Sequence, residues 1–414
     1  MRLVIDGRRL TAERTGVGRY LELLLQEWSL QGLPMSKGLL LLQDERVLDE
    51  IPQIYGLEIR AVGSGLQGIV WEHSVLGRSL RPGDILFAPA NLVPFTWQGP
   101  TALVLHDVIG EILPRTFPLH RRIWYGARYR AAVKRASKII VPSRSTETDA
   151  RLVYKIDDDR IAVVPCAPAA GFHPRQPTDP VVLQAKAEIG LEIDRPFFLF
   201  VGKRSQRRNI PSIIEAFRMF NQEKQEYRLI FAGPSAGFDD QERMETGNVK
   251  IVGRVGESTL QGLMNAATAL LYPSDYEGFG LPIVEAMASG CPVVALRNSA
   301  VEEVSGEAVW YLPTSKPIDL LTAMNALTET PFERDRLVEL GLRRAERFHR
   351  ADFAAGVGRV IADLAEEIRR GDDDCRASGG MLEKSPKIRG KSDQTRSIRS
   401  FRSLIQLTAL HFSI

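Results

Sequence analysis

Short apolar runs rich in Val, Ile, Leu and Phe alternate along this chain with longer stretches of helical period, and that alternation restricts the fold more than any other feature. It calls for parallel sheets whose strands are joined by crossover helices. The first half offers Leu3–Ile5, Leu39–Leu42, Ile85–Phe87, Ala102–Leu105, Ile139–Val141 and Ile161–Val164. The second half offers Phe197–Val201, Arg228–Ala232, Val249–Ile251, Ala269–Tyr272, Val293–Ala295 and Val309–Tyr311. Between them lies the Pro- and Ala-rich stretch Pro165–Pro196, in which Val181–Ile189 reads as a helix. A boundary near residues 172–195 gives two doubly wound halves of similar size facing a central cleft. In open α/β sheets ligands bind at the carboxyl ends of the strands, so the cleft is the expected site.

A length of 414 residues supports a sizeable core in each half, and 25% charged and 44% hydrophobic residues is ordinary globular composition. A net charge of +3 gives no reason to expect nucleic acid. Cys166, Cys291 and Cys375 are odd in number and far apart, which fits a reducing compartment rather than a disulfide framework. The opening residues read as a strand ended by Asp6 and Gly7, not as a secretory leader, and no run approaches the ~18 apolar residues of a spanning helix. The expected location is cytoplasmic, either free or peripheral on the cytoplasmic face of the membrane. After Gly371-Asp372-Asp373-Asp374 the helical pattern ends, and residues 371–414 read as a disordered basic tail.

Four blocks carry chemistry. In Asp275-Tyr276-Glu277-Gly278-Phe279-Gly280-Leu281-Pro282-Ile283-Val284-Glu285 an apolar strand gives way to a glycine turn and a helix from about Pro282. Glu277 falls on the loop and Glu285 on the helix's first turn. A helix start offers free N–H groups and a positive dipole, so the pair suits a ligand joining phosphate to many hydroxyls. Acidic residues in a first turn often only complement the dipole, which is the plainer reading. In Gly202-Lys203-Arg204-Ser205-Gln206-Arg207-Arg208-Asn209 cations fill the loop after a strand, where they can hold phosphate or simply face solvent. Gly16-Val17-Gly18-Arg19 follows the first strand and opens a helix, and its glycines allow close backbone approach. His106-Asp107 closes the strand Ala102–Leu105. Asp157-Asp158-Asp159 lies between a helix and a strand and reads as a solvated turn rather than a metal site. The basic and aromatic stretch His120–Arg135 reads equally as a surface helix with a core face marked by Ile123, Ala127 and Arg130, or as a membrane-surface patch.

The block Tyr276–Val294 resembles the donor-site signature of the retaining glycosyltransferases of family 4 (glycosyl transferases group 1), and the Lys203–Asn209 loop resembles their diphosphate clamp. The resemblance spans about residues 1–370 and implies two Rossmann-like domains in the GT-B arrangement. It assigns residues 1–175 to an acceptor-side domain and 176–350 to a donor-binding domain, with 351–370 a helix packing back on the first. It implies transfer of a hexose from a nucleotide diphosphate sugar to a glycan or lipid-linked glycan. The opening strand, the Gly-Val-Gly-Arg-Tyr loop and the Arg-Arg-Asn clamp lean toward mannosyltransferases of polysaccharide, including lipopolysaccharide, assembly.

Within that resemblance Glu277 and His106 are the catalytic candidates, and Glu285 binds the ribose. Gly202, Lys203, Arg208, Phe279, Gly280, Leu281, Gly16 and Gly18 bind the rest of the donor, with no metal and no cofactor. Arg208 stands where the family commonly has Lys, and Cys166–Phe172 departs from the usual turn. Two other classes stay open: a nucleotide-sugar epimerase of the same fold, and a non-catalytic sugar-nucleotide-binding partner.

Overall fold

The computed structural model describes residues 1–13, 15–62, 65–66, 68–234 and 247–378. Its thirteen described strands form two all-parallel sheets, as the alternation predicts. The first sheet is ordered β3-β2-β1-β4-β5-β6-β7 and the second β10-β9-β8-β11-β12-β13. In the first sheet these are β1 (Arg2–Asp6), β2 (Gly38–Leu42), β3 (Leu57–Ala61), β4 (Asp84–Ala88), β5 (Thr101–Val104), β6 (Lys138–Val141) and β7 (Ile161–Val163). In the second they are β8 (Phe197–Val201), β9 (Arg228–Ala232), β10 (Val249–Gly253), β11 (Ala269–Tyr272), β12 (Val293–Leu296) and β13 (Trp310–Leu312).

The longer helices are α1 (Gly16–Gln31), α2 (Leu119–Arg135), α3 (Arg144–Tyr154), α4 (Pro180–Glu188), α5 (Ile210–Asn221) and α6 (Glu257–Ala266). They continue with α7 (Leu281–Ala288), α8 (Ser299–Ser305), α9 (Pro317–Glu329), α10 (Pro331–Ala345) and α11 (Arg350–Ser378).

Strands buried on both faces explain the unbroken apolar runs: β2, β4, β5 and β8 have every residue buried. In the second half Phe198, Phe200, Phe217, Phe220 and Phe231 pack in one core between β8, β9 and α5. Each contributes about 1.5–3 kcal/mol by leaving water. Strand order reverses between β1 and β4 in one sheet and between β8 and β11 in the other, and a crevice opens at such points. The loops after β1, β5, β8 and β11 carry all four motif blocks.

Residues 1–366 form one compact unit, and the described residues from 367 on belong to a second. Within the first unit, α11 begins against α1. Trp28 Nε1 donates to the Ala354 carbonyl at 3.3 Å, Arg350 pairs with Glu27 at 3.0 Å, and Phe353 meets Tyr20 edge-on at 4.9 Å.

Three expectations need correction. The strand β3 was not predicted: it is an edge strand whose Leu-Glu-Ile-Arg-Ala pattern alternates half-buried with exposed residues. Helix α11 runs through Gly371 and the aspartates to Ser378, because one glycine costs about 1 kcal/mol against alanine and does not by itself stop a helix. The remainder of the tail, 379–414, lies outside the described residues. The face of α2 named from sequence is not its core face: Ile123 is 64% exposed, Ala127 and Arg130 are exposed, and the buried positions among the described side chains are Arg128, Ala132 and Val133.

Candidate active site

The loop between β11 and α7 places Glu277 in a cage of its own half. Its Oε1 accepts from Tyr272 Oη at 2.9 Å, Ser274 Oγ at 2.8 Å and Arg207 Nη1, with Arg208 Nη2 at 3.3 Å. Burial alone pushes this carboxyl up, but Arg207 and Arg208 outweigh it and hold the group at about 2. Glu277 is therefore an ionised carboxylate at neutral pH, fixed by neighbours rather than by solvent.

Arg207 also donates to Ser274 Oγ at 2.9 Å and to the Tyr276 carbonyl at 2.6 Å. Asn209 Nδ2 donates to the Pro273 carbonyl at 2.9 Å and to Asp275 at 2.8 Å. The β8 and β11 loops are thus stitched into one unit.

Arg208 differs from the expected clamp. It is 8% exposed, its Nη2 donates to Tyr272 Oη at 3.1 Å, and its guanidinium lies over the ring of Tyr272. Gly202 makes this possible: a Cβ built there would sit 1.6 Å from Arg208 Nη1, and its φ of +128° excludes most side chains. In this structure Arg208 faces Glu277, while Lys203 is exposed on the same loop.

The helix α7 starts at Leu281, with Gly280 as its N-cap at φ +90°. Glu285 therefore lies on the second turn, not the first as the sequence predicts. The glycine turn ends one residue earlier than Pro282 implies. Phe279 is buried and meets Phe348 edge-on at 5.6 Å. Glu285 is fully buried and burial pushes its carboxyl up, opposed by Arg19. Both Nη atoms of Arg19 reach it from the N-terminal end of α1, one at 3.3 Å and the other closer. Gly16 is exposed at the first position of α1, and Gly18 is buried.

His106 lies just past β5. Its Nε2 is 2.7 Å from the Pro89 carbonyl, which can only accept, so Nε2 carries the hydrogen and Nδ1 a lone pair. Burial lowers its pKa, keeping the ring neutral. The ring of Tyr20 packs edge-on at 5.0 Å. Asp107 Oδ1 accepts from the Ile109 amide at 3.1 Å, and burial raises its pKa despite the nearby Arg207.

The two halves meet at Gly278. A Cβ built there would sit 1.9 Å from the His106 carbonyl oxygen and 3.0 Å from the Asp107 Cβ. Its own carbonyl accepts from Ser143 Oγ at 2.7 Å and Thr146 Oγ1 at 2.9 Å, both fully buried at the start of α3. Tyr276 Oη donates to Asp149 at 2.8 Å, and Glu303 of α8 accepts from the Arg144 and Ser145 amides at 2.9 Å each. The backbone next to Glu277 is thereby held within reach of His106.

Sequence reasoning missed Ser143, Thr146 and Asp149. The available signal was the Ser-x-x-Thr start of α3, where a side-chain oxygen is expected to cap amides. The same hydroxyls serving a distant carbonyl left no local trace. Asp158–Arg160 forms a short 3-10 turn with exposed aspartates, in line with a solvated turn.

Residues 183–344 match the family model for glycosyl transferases group 1. The chain is 25% identical over 373 residues to the O-antigen chain mannosyltransferase B of Escherichia coli, covering 84% of this chain and 96% of that one. It is 32% identical over 229 residues to a D-inositol 3-phosphate glycosyltransferase of Frankia alni, covering 50% and 53%. The crystal structure of Anabaena HepE in complex with UDP-glucose superposes with a TM-score of 0.67 at 17% identity, covering 88% of this chain and all of that one. The architecture is that of GT-B glycosyltransferases, two Rossmann-like domains built on parallel sheets. The protein is a glycosyltransferase.

Proposed function

We propose that the protein is a retaining hexosyltransferase of family 4, taking its hexose, with mannose as the leading choice, from a nucleotide diphosphate sugar. The acceptor is a glycan or lipid-linked glycan of polysaccharide assembly. One observation carries this reading: an ionised Glu277, caged by Arg207, Arg208, Tyr272 and Ser274, stands beside a glycine packed on the His106 backbone. Supporting it are the relative named as a mannosyltransferase and the HepE structure that holds UDP-glucose.

In this reading Glu277 binds the donor-sugar hydroxyls and steadies positive charge developing at the anomeric carbon. His106 Nδ1 accepts from a hydroxyl of the transferred sugar. The amides around Phe279, Gly280 and Leu281, with Lys203, stabilise the leaving diphosphate, and Arg207 and Arg208 add their field from behind Glu277. Glu285 takes the ribose hydroxyls, and Gly16 and Gly18 let the α1 loop approach the phosphates. The acceptor oxygen bonds to the anomeric carbon as the bond to diphosphate breaks, and its proton passes to the departing phosphate oxygen. These fixed charges do the neutralising that a divalent ion does elsewhere, so the reaction proceeds without one.

The exposed start of α2 supports a second element of the proposal, a peripheral site on the cytoplasmic membrane face where a lipid-linked acceptor is held. Leu119, Ile123, Trp124 and Tyr125 are 67%, 64%, 39% and 45% exposed, with Arg122 and Arg130 beside them. Apolar groups with interleaved cations suit an anionic bilayer surface. Among the described residues no helix is long and apolar enough to cross a membrane.

The test is transfer from GDP-mannose and UDP-glucose to a short mannan acceptor, in EDTA, with product anomers read by NMR. Retained configuration supports the reading. Inverted product or dependence on added metal overturns those parts of it. Release of an epimerised sugar nucleotide without acceptor makes the protein an epimerase instead.

A further inference from the structure

Arg19 of the first half reaches into the donor side. It grips both oxygens of Glu285 while its own Nε lies 4.0 Å from Glu257 Oε2 on α6, and its guanidinium sits 5.7 Å from the centre of the Phe172 ring. Glu285 is fully buried, whereas the Glu257 side chain is 44% exposed. On the same rim Arg254 of the second half reaches the Glu13 carbonyl at 3.2 Å and its carboxylate at 3.7 Å. Arg19 thus touches two carboxylates, an inner one and an outer one, and the inner one is the group the proposed function gives to the ribose.

We propose that Arg19 is a nucleotide-displaced latch. It holds the two halves together through Glu285, and it swings to Glu257 when the ribose hydroxyls of a nucleoside diphosphate take the Glu285 carboxylate. The inference rests on the proposed donor site. The exchange is matched in kind: a buried carboxylate needs compensating donors at every stage, and two hydroxyls replace two guanidinium N–H groups. Arg19 keeps an ionic partner throughout, since Glu257 is already within 4.0 Å, and its guanidinium already lies over the Phe172 ring. No other described residue is seen paired with the Glu285 carboxylate, so the latch and the ribose compete for one group.

Two variants with opposite expected signs test it. Arg19→Met removes the competitor, and Glu257→Gln removes the outer resting place on a side chain exposed enough to change without loss of fold. Isothermal titration of the full chain with UDP and with GDP is the measurement. Arg19→Met is expected to bind the preferred nucleotide about tenfold more tightly, and Glu257→Gln several-fold more weakly. A role in packing alone moves both variants the same way. If the unchanged protein binds neither nucleotide, the donor-site reading falls and the latch with it. If it binds one, but Arg19→Met binds equally or more weakly, or Glu257→Gln binds as before, the latch alone is overturned.

Discussion

Glu277 and Glu285 are the same residue type, eight positions apart, both buried, and they are held in opposite ways. Glu277 is caged by Arg207, Arg208, Tyr272 and Ser274, all from its own half. Glu285 is paired with Arg19 from the other half. The first is fixed before any ligand arrives and stays charged. The second has a partner that already lies within 4.0 Å of another carboxylate, Glu257. A cation pair beside the carboxylate decides the protonation of one, and burial dominates the other. Preorganised charge suits a transition-state contact, and exchangeable charge suits a binding contact.

The comparison is broken most directly at Glu277. Glu277→Gln should lower kcat by about 10²–10³ with the donor KM changed far less, measured by nucleotide release. An unchanged kcat would remove Glu277 from the chemistry. Its fixed charge should also appear in stability. The folded pKa of about 2 lies below the ordinary 4.5, so the ionised form is favoured by folding. That contribution, roughly 3 kcal/mol, is complete above about pH 5 and is lost as pH falls toward 2. Denaturant titrations of the unchanged protein and Glu277→Gln should converge over that range, and a constant gap would contradict the assignment.

At the seam, Gly278→Ala places a carbon against the His106 carbonyl, where no rotamer gives relief. It should cost about 1–3 kcal/mol in thermal or denaturant unfolding and lower kcat, while an unperturbed variant would show the seam to be loose. The smallest effect belongs to Glu285→Gln. A tenfold rise in donor KM with little change in kcat separates binding from chemistry, whereas a loss of kcat like that of Glu277→Gln would erase the distinction between the two glutamates.

Much of the frame was legible because buried parallel strands write themselves as unbroken apolar runs. Phe197–Val201 and Arg228–Ala232 are strands over the residues named from sequence. Legibility failed where one side chain's position depended on a remote one. Arg208 reads as a clamp cation on a basic loop, and only the bare Cα of Gly202 and the ring of Tyr272 turn it under the loop. The exposed start of α2 was obscure for a related reason. Its apolar residues have helical spacing, and spacing does not tell whether anything covers them. Edge strand β3 carries Glu58 and Arg60 on its open side, which broke the apolar signal that marked its neighbours.

The contacts of Gly278 and Tyr276 with Ser143, Thr146 and Asp149 bear on how such enzymes can be recombined. A chimera cut in the stretch between β7 and β8 would carry the donor loop but leave behind the hydroxyls that brace it. The unit to transplant is therefore the second half together with Ser143 and the first two turns of α3, a discontinuous module that chain order does not reveal.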